Sequence, residues 1–301
     1  LISQQATGAP GADDVSLLVR GHSTYNGGDG PLILVDGVER SMAYINPNEV
    51  ESVTILKDAA SCAVYGMKAA AGVILVTTKR GTEGKTTINY KGSLTLSHAT
   101  TLPEFMNGTH YMQWYNYARR MDGEKAYFTD EEIAMTTNGD PTDGFENTNW
   151  QEPIYRTTLM HQHNLSISGG NEKTRYFLSG GFMKQNGFIK GFELERGNFR
   201  SNIDTQVTKD ISVSLNVAGK INDYYQPGGD SYENQTTNNV VGVLLYAAPF
   251  VPLEYEGMPA SGYRGASNPD YAAGHSGYSK IRTMRLETSA KIEYSFPFLK
   301  G

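Results

Sequence analysis

A single cysteine, Cys62, stands in 301 residues, so neither an internal disulfide nor a multi-cysteine zinc site can form. Its neighbours Ala59, Ala60, Ala63 and Val64 predict a small buried side chain, not a reactive thiol. Basic clusters are lacking too: no run of five Lys or Arg occurs, and the formal net charge is -6. A nucleic-acid surface needs concentrated cations to displace the counterions around phosphates, which excludes that class of partner. Long hydrophobic runs are also missing. The best stretch, Val240 to Leu253, is interrupted by Pro249 and Pro252 and falls short of the ~18 consecutive apolar residues of a spanning helix. Helical spans are thereby excluded, whereas spanning strands, which alternate, are not. The N-terminus has no Met and no charged, apolar, cleavable leader, so Leu1 reads as a cut point.

Catalytic and metal-binding patterns are equally scarce. Gly81 to Thr86 (GTEGKT) has the end of a phosphate loop, but Lys79 occupies the place of the first glycine, and the stretch reads as a linker. Gly21-His22-Ser23-Thr24-Tyr25 lacks the last glycine of a nucleophile elbow. His161 and His163 share one strand face at metal-compatible spacing, yet no third ligand accompanies them. Leu165 and Ile167 continue that face, which predicts interfacial placement near a rim. Asp122-Gly123-Glu124 and Asp130-Glu131-Glu132 miss the calcium-loop spacing, and the acidic residues read as a solvated helix start. Tyr111 to Arg120 predicts a helix packed by Tyr111, Trp114, Tyr115 and Ala118. No acid pair, triad, metal set or cofactor motif emerges, so an enzyme is not expected.

What the chain does have is 19 tyrosines, 33 glycines and only 19% charged residues, the profile of a β-rich surface protein. Residues 1 to 14 read as a lead-in, Val15 to Arg20 as a short strand, and Pro31 to Val35 as a strand covered on both faces. Asp36-Gly37 is a turn dipeptide. Pro47 to Val50 predicts one helical turn, Ser52 to Lys57 a strand, Asp58 to Tyr65 a small-residue helix broken by Gly66, and Gly72 to Thr78 another strand. Together these make a compact α+β unit.

From Lys85 the texture changes to long period-two alternation. In Thr86 to Ser97, Ile88, Tyr90, Leu94 and Leu96 oppose Thr87, Asn89, Lys91, Ser93 and Thr95. Phe199 to Thr208, Ile211 to Asn222 and Met284 to Phe296 repeat the pattern, with weaker versions at Leu159 to Ser168 and Thr174 to Met183. A soluble sandwich also alternates. Three features point instead to a membrane barrel: strands of ten or more residues, aromatics on the apolar face, and tight turns (169 to 173, 209 to 210) alternating with long connections (98 to 158, 184 to 198, 223 to 283). Six strands cannot close such a barrel, whose smallest form has about eight, so the chain reads as a piece of one.

Particular residues carry a family resemblance: Val19-Arg20-Gly21, Pro31 to Val38 (PLILVDGV), Ile45-Asn46-Pro47, Val50 to Ala59 (VESVTILKDA), Val64-Tyr65-Gly66 and Ala70 to Gly81 (AAGVILVTTKRG). Asn149-Trp150, His163 to Gly170 and Tyr176 to Gly181 extend it. The chain resembles the SusC/RagA group of TonB-dependent outer-membrane receptors. The resemblance implies an α+β plug domain over residues 1–81, truncated at its N-terminus, and over 82–301 the first strands and extracellular loops of an antiparallel transmembrane β-barrel, 22-stranded in the family. It further implies location in the cell outer membrane against lipid and import of glycans or oligopeptides. A SusD-like surface lipoprotein would act as lid and TonB with ExbB and ExbD as the energy source, their contact segment lying before Leu1. In this family the loops after Arg-Gly and around Tyr-Gly face incoming substrate, which points to His22, Ser23, Tyr25 and Asn26, and to Tyr65 and Met67. The alternative from another class is a soluble or surface β-rich carbohydrate-binding or adhesion module.

Overall fold

The computed structural model describes residues 2–5, 10–11, 15–18, 30–58, 62–139, 144–228, 237–260 and 268–296. Two short strands, β1 (Ile2–Gln5) and β2 (Val15–Leu18), pair antiparallel. The N-terminal unit proper is a four-stranded mixed sheet of β3 (Leu32–Val35), β4 (Val38–Glu39), β5 (Val50–Leu56) and β6 (Val73–Thr78), in the order β4-β3-β6-β5. Strand β6 runs parallel to β3 and antiparallel to β5. Its apolar run from Val73 to Val76 follows from burial on both faces. Val73 packs with Leu34, Cys62 and Ala69 on one side, while Ile74 and Val76 pack with Val35 on the other, with Met42, Ile45 and Val50 beside them. Cys62 is buried as expected. Asp36 and Gly37, both at positive φ (50° and 83°), close the β3-β4 hairpin in the manner of an Asp-Gly turn. The turn at Pro47–Glu49 is a single 3-10 turn: Pro47 starts it and the Asn46 side chain accepts from Asn48 N.

The second unit is a wall of six antiparallel strands. These are β7 (Gly84–Ser97), β8 (Thr158–Gly170), β9 (Thr174–Asn186), β10 (Glu193–Gln206), β11 (Ile211–Pro227) and β14 (Tyr278–Tyr294), each hydrogen-bonded to its sequence neighbour within the wall. A two-residue hairpin of β12 (Glu254–Tyr255) and β13 (Met258–Pro259) sits in the last long connection. Turns 171–173 and 207–210 are tight; the Asn171 side-chain oxygen Oδ1 caps the first by accepting from Lys173 N and Thr174 N.

The connections at the opposite end differ from the sequence expectation. Strands β9 and β10 run on to Asn186 and from Glu193, leaving six residues where a loop of 184 to 198 was expected, and β11 and β14 likewise extend to Pro227 and from Tyr278. Past Phe182 and Ile221 the formerly apolar face carries Lys184, Glu195, Asp223 and Arg282. Hydrophobic alternation ends there although backbone pairing continues.

The two longest connections fold on each other. They contribute α1 (Gly108–Met121), α2 (Asp130–Asn138), α3 (Thr237–Tyr246) and α4 (Pro269–Gly274). Helix α1 forms, but its buried stripe is Gly108, Met112 and Asn116, spaced four apart. Tyr111 and Tyr115 flank it, and Trp114 is 59% exposed, contrary to the expected packing. The Asn116 amide repays its burial by donating to Phe128 O at 2.7 Å and accepting from Tyr127 N and Phe128 N at 2.8 and 2.9 Å. Helix α2 opens on a capping box between Thr129 and Glu132, as the acidic run suggested.

Candidate functional site

The 3-10 turn at Pro47 aims Glu49 out of the small unit and into the wall. Its carboxylate accepts from Arg200 Nε at 2.7 Å, Asn198 Nδ2 at 2.8 Å and Ser179 Oγ at 2.9 Å, and the Arg200 and Glu49 side chains are 3% and 5% exposed. Two residues along β10, Asn202 donates to the Thr78 hydroxyl (3.0 Å) and to Lys79 O (2.8 Å); Thr78 in turn donates to Asp36 at 2.6 Å. Two further along, Asp204 pairs with Arg80 at 2.6 Å. Other strands add Asn46 to Asn164 (2.7 Å), Arg40 to Glu287 (2.8 Å) and Lys220 to Ala43 O, with the Arg285 guanidinium 3.9 Å from the Tyr44 ring centroid.

Every wall residue in this set belongs to the polar register of its strand. Close approach needs glycine at two points. A Cβ at Gly81 would lie 2.3 Å from Tyr176 N, where the chain crosses to the wall; one at Gly181 would lie 2.5 Å from Asn198 Oδ1 and 2.7 Å from Asn164 Oδ1.

The other register faces away. Leu94, Met284, Leu286 and Ile292 are 69–73% exposed, whereas Asn202 is fully buried against the small unit. A soluble sandwich buries its apolar face; this wall does the reverse. On β11 the outward positions from Ile211 to Ile221 carry no charge before Asp223, and on β14 those from Tyr294 to Met284 carry none before Arg282. Ten residues at about 3.4 Å each, tilted about 40–45°, span roughly 25 Å of height, which is the apolar band of an outer-membrane barrel.

Residues 2–73 match the family described as TonB-dependent Receptor Plug Domain. The TonB-dependent receptor P3 of Formosa agariphila is 33% identical over 213 residues, 70% of this chain and 19% of that protein. The TonB-dependent receptor SusC of Bacteroides thetaiotaomicron is 29% identical over 293 residues, 90% of this chain and 26% of that protein. The chain belongs to the TonB-dependent receptors. It spans about a fifth to a quarter of the length of these curated relatives. In fold it is similar to the structure of the RagAB peptide transporter, with a TM-score of 0.70 and 22% identity over 92% of this chain and 34% of that one. The small unit is therefore the plug and the wall is part of the barrel.

Of the residues singled out in the sequence, His22, Ser23, Tyr25 and Asn26 lie outside the described residues. Tyr65 and Met67 flank Gly66, whose φ is 74°. Tyr65 packs partly against the plug core and shares a cavity of about 640 Å³ with Asp36, Arg80, Asn216 and Lys291. Met67 is 95% exposed. His161 and His163 stand in the outward register; His163 Nδ1 lies 2.6 Å from the Tyr90 hydroxyl, and no metal-binding cluster exists among the described residues. Sequence reasoning passed over Glu49, Arg200 and Asn202. Their signal was an acidic residue on a capped turn and an arginine on a strand face between Asn198 and Asn202.

Proposed function

We propose that the chain carries the plug (residues 1–81) and the first six barrel strands with their loops (82–301) of an outer-membrane receptor that imports glycans or oligopeptides. In this reading a SusD-like surface lipoprotein closes over the long connections, and TonB with ExbB and ExbD supplies the energy from the periplasm. The observation that carries the reading is the inverted wall: its polar register grips the plug through Glu49, Asn202 and Asp204, and its apolar register faces outward over the height of a bilayer. Breaking these buried contacts to move the plug costs free energy, which work done through TonB would supply. His22, Ser23, Tyr25, Asn26, Tyr65 and Met67 are proposed to contact the passenger, Tyr by stacking and the hydroxyl and amide groups by hydrogen bonding.

The test is uptake by cells that make the receptor containing this chain. Deleting its gene, or removing TonB, is expected to abolish accumulation of oligomeric but not monomeric nutrients. Uptake that continues without TonB contradicts the proposal.

A further inference from the structure

The long connections hold a cleft that the grip on the plug does not use. Segments 102–151 and 240–253 share a core of Met112, Phe128, Trp150, Leu244 and Phe250. They are stitched together by Thr148 N to Pro249 O (2.8 Å), the Thr148 hydroxyl to Val251 O (2.6 Å) and the Trp150 indole N–H to Ala248 O (2.9 Å). Between them remains a cleft of about 620 Å³, within the ~300–1,000 Å³ range of small-ligand sites.

Its lining pairs apolar surface with amides. Phe105, Tyr111 and Leu245 stand alongside Asn107, Asn147 and Asn149, with Gln151 nearby. Among the described residues Glu104 is the one charged group of the lining, and no Lys, Arg or His contributes. The orientation of the amides is set by the loop backbone. Asn107 Oδ1 accepts from His110 N at 2.8 Å, Asn147 Oδ1 from Gly108 N at 2.8 Å, and Asn149 Oδ1 from Gln151 N at 3.2 Å. Each therefore keeps a free NH2 donor, with no protein partner among the described residues. Gln151 is reversed: its amide nitrogen donates to Pro103 O, which frees its oxygen as an acceptor. Phe105 and Leu245 remain 44% and 59% exposed although they are apolar.

We propose that this cleft is a binding subsite for a neutral oligosaccharide, an inference that rests on the import reading above. Sugar hydroxyls both donate and accept, which suits three free NH2 groups together with the Gln151 oxygen and the Glu104 carboxylate. The C–H face of a pyranose packs on Phe105 and Tyr111. A peptide C-terminus or a uronic or sulfated sugar brings a negative charge, and the lining offers no cation to meet it.

The test uses the detergent-solubilised full-length receptor and titration calorimetry against neutral oligosaccharides (α- and β-glucans, mannans, xylans, galactans), acidic oligosaccharides and unmodified peptides. Asn147→Asp and Asn149→Asp keep the acceptor for the loop backbone and remove the donor; Phe105→Ala removes the stacking surface at an exposed position. At least one neutral oligosaccharide is expected to saturate the receptor, each variant to weaken it by about tenfold or more, and Trp114→Ala, on the exposed face of α1, to leave affinity unchanged. Unchanged affinity in all three cleft variants overturns the proposal, as does binding of peptides or acidic glycans alone, or of nothing in the panel. TonB-dependent uptake in cells separates the two levels: uptake that persists beside an overturned cleft leaves import standing, while its absence removes both.

Discussion

Glu49 and Arg200 meet with almost no exposure, the most deeply buried ion pair among the described residues. Taking both charges out of water is costly, so the pair adds little net stability against an apolar alternative. Removing one partner is different, because the other is left buried and uncompensated at about 3–5 kcal/mol. Glu49→Gln retains an oxygen for Ser179 and Asn198 but leaves the guanidinium without its counter-charge. It is expected to loosen the plug by that order, read as faster proteolysis of the plug in the folded receptor, and Glu49→Gln with Arg200→Met is expected to recover part of the loss. Residues of this kind were poorly legible in the sequence. On one strand Arg200, Asn202 and Asp204 look like any solvated face, and only the docking of a second unit turns them into anchors. Cys62 was legible because its own neighbours are small and apolar, whereas Trp114 was misread because apolar spacing on a helix does not say which flank meets the core.

At the level of elements, all six wall strands were visible as alternation, but their long-connection ends were not. Alternation reports the dielectric outside the wall, not the backbone pairing. Where Lys184, Glu195, Asp223 and Arg282 replace apolar residues the signal stops, though the ladder continues to Asn186, Glu193, Pro227 and Tyr278. The β3-β4 hairpin and the turn at Pro47 were legible from Asp36-Gly37 and from proline, since each fixes φ locally. The same logic predicts how substitutions divide by register. Leu286→Arg places a charge in the middle of the outward band and is expected to cost roughly 2–4 kcal/mol of barrel stability. Ser212→Arg, in the opposite register of the neighbouring strand, where the serine hydroxyl lies 3.5 Å from Glu293 on the lumen side, is expected to change it by less than about 0.5 kcal/mol. Urea unfolding of the two variants in detergent micelles checks the difference.

For the molecule as a whole, one sheet separates two environments. Its apolar register needs hydrocarbon and its polar register needs the plug, and a shift of one residue in any strand would exchange the two. The most direct test is a nitroxide scan of β11 in the full-length receptor reconstituted in lipid bilayers, one introduced cysteine at a time from Ser212 to Val217. The account predicts a period of two: labels at 213, 215 and 217 accessible to oxygen dissolved in lipid, and labels at 212, 214 and 216 shielded from it. Accessibility of the opposite phase, or no alternation along the strand, would contradict the assignment of this chain to a membrane wall around its own plug.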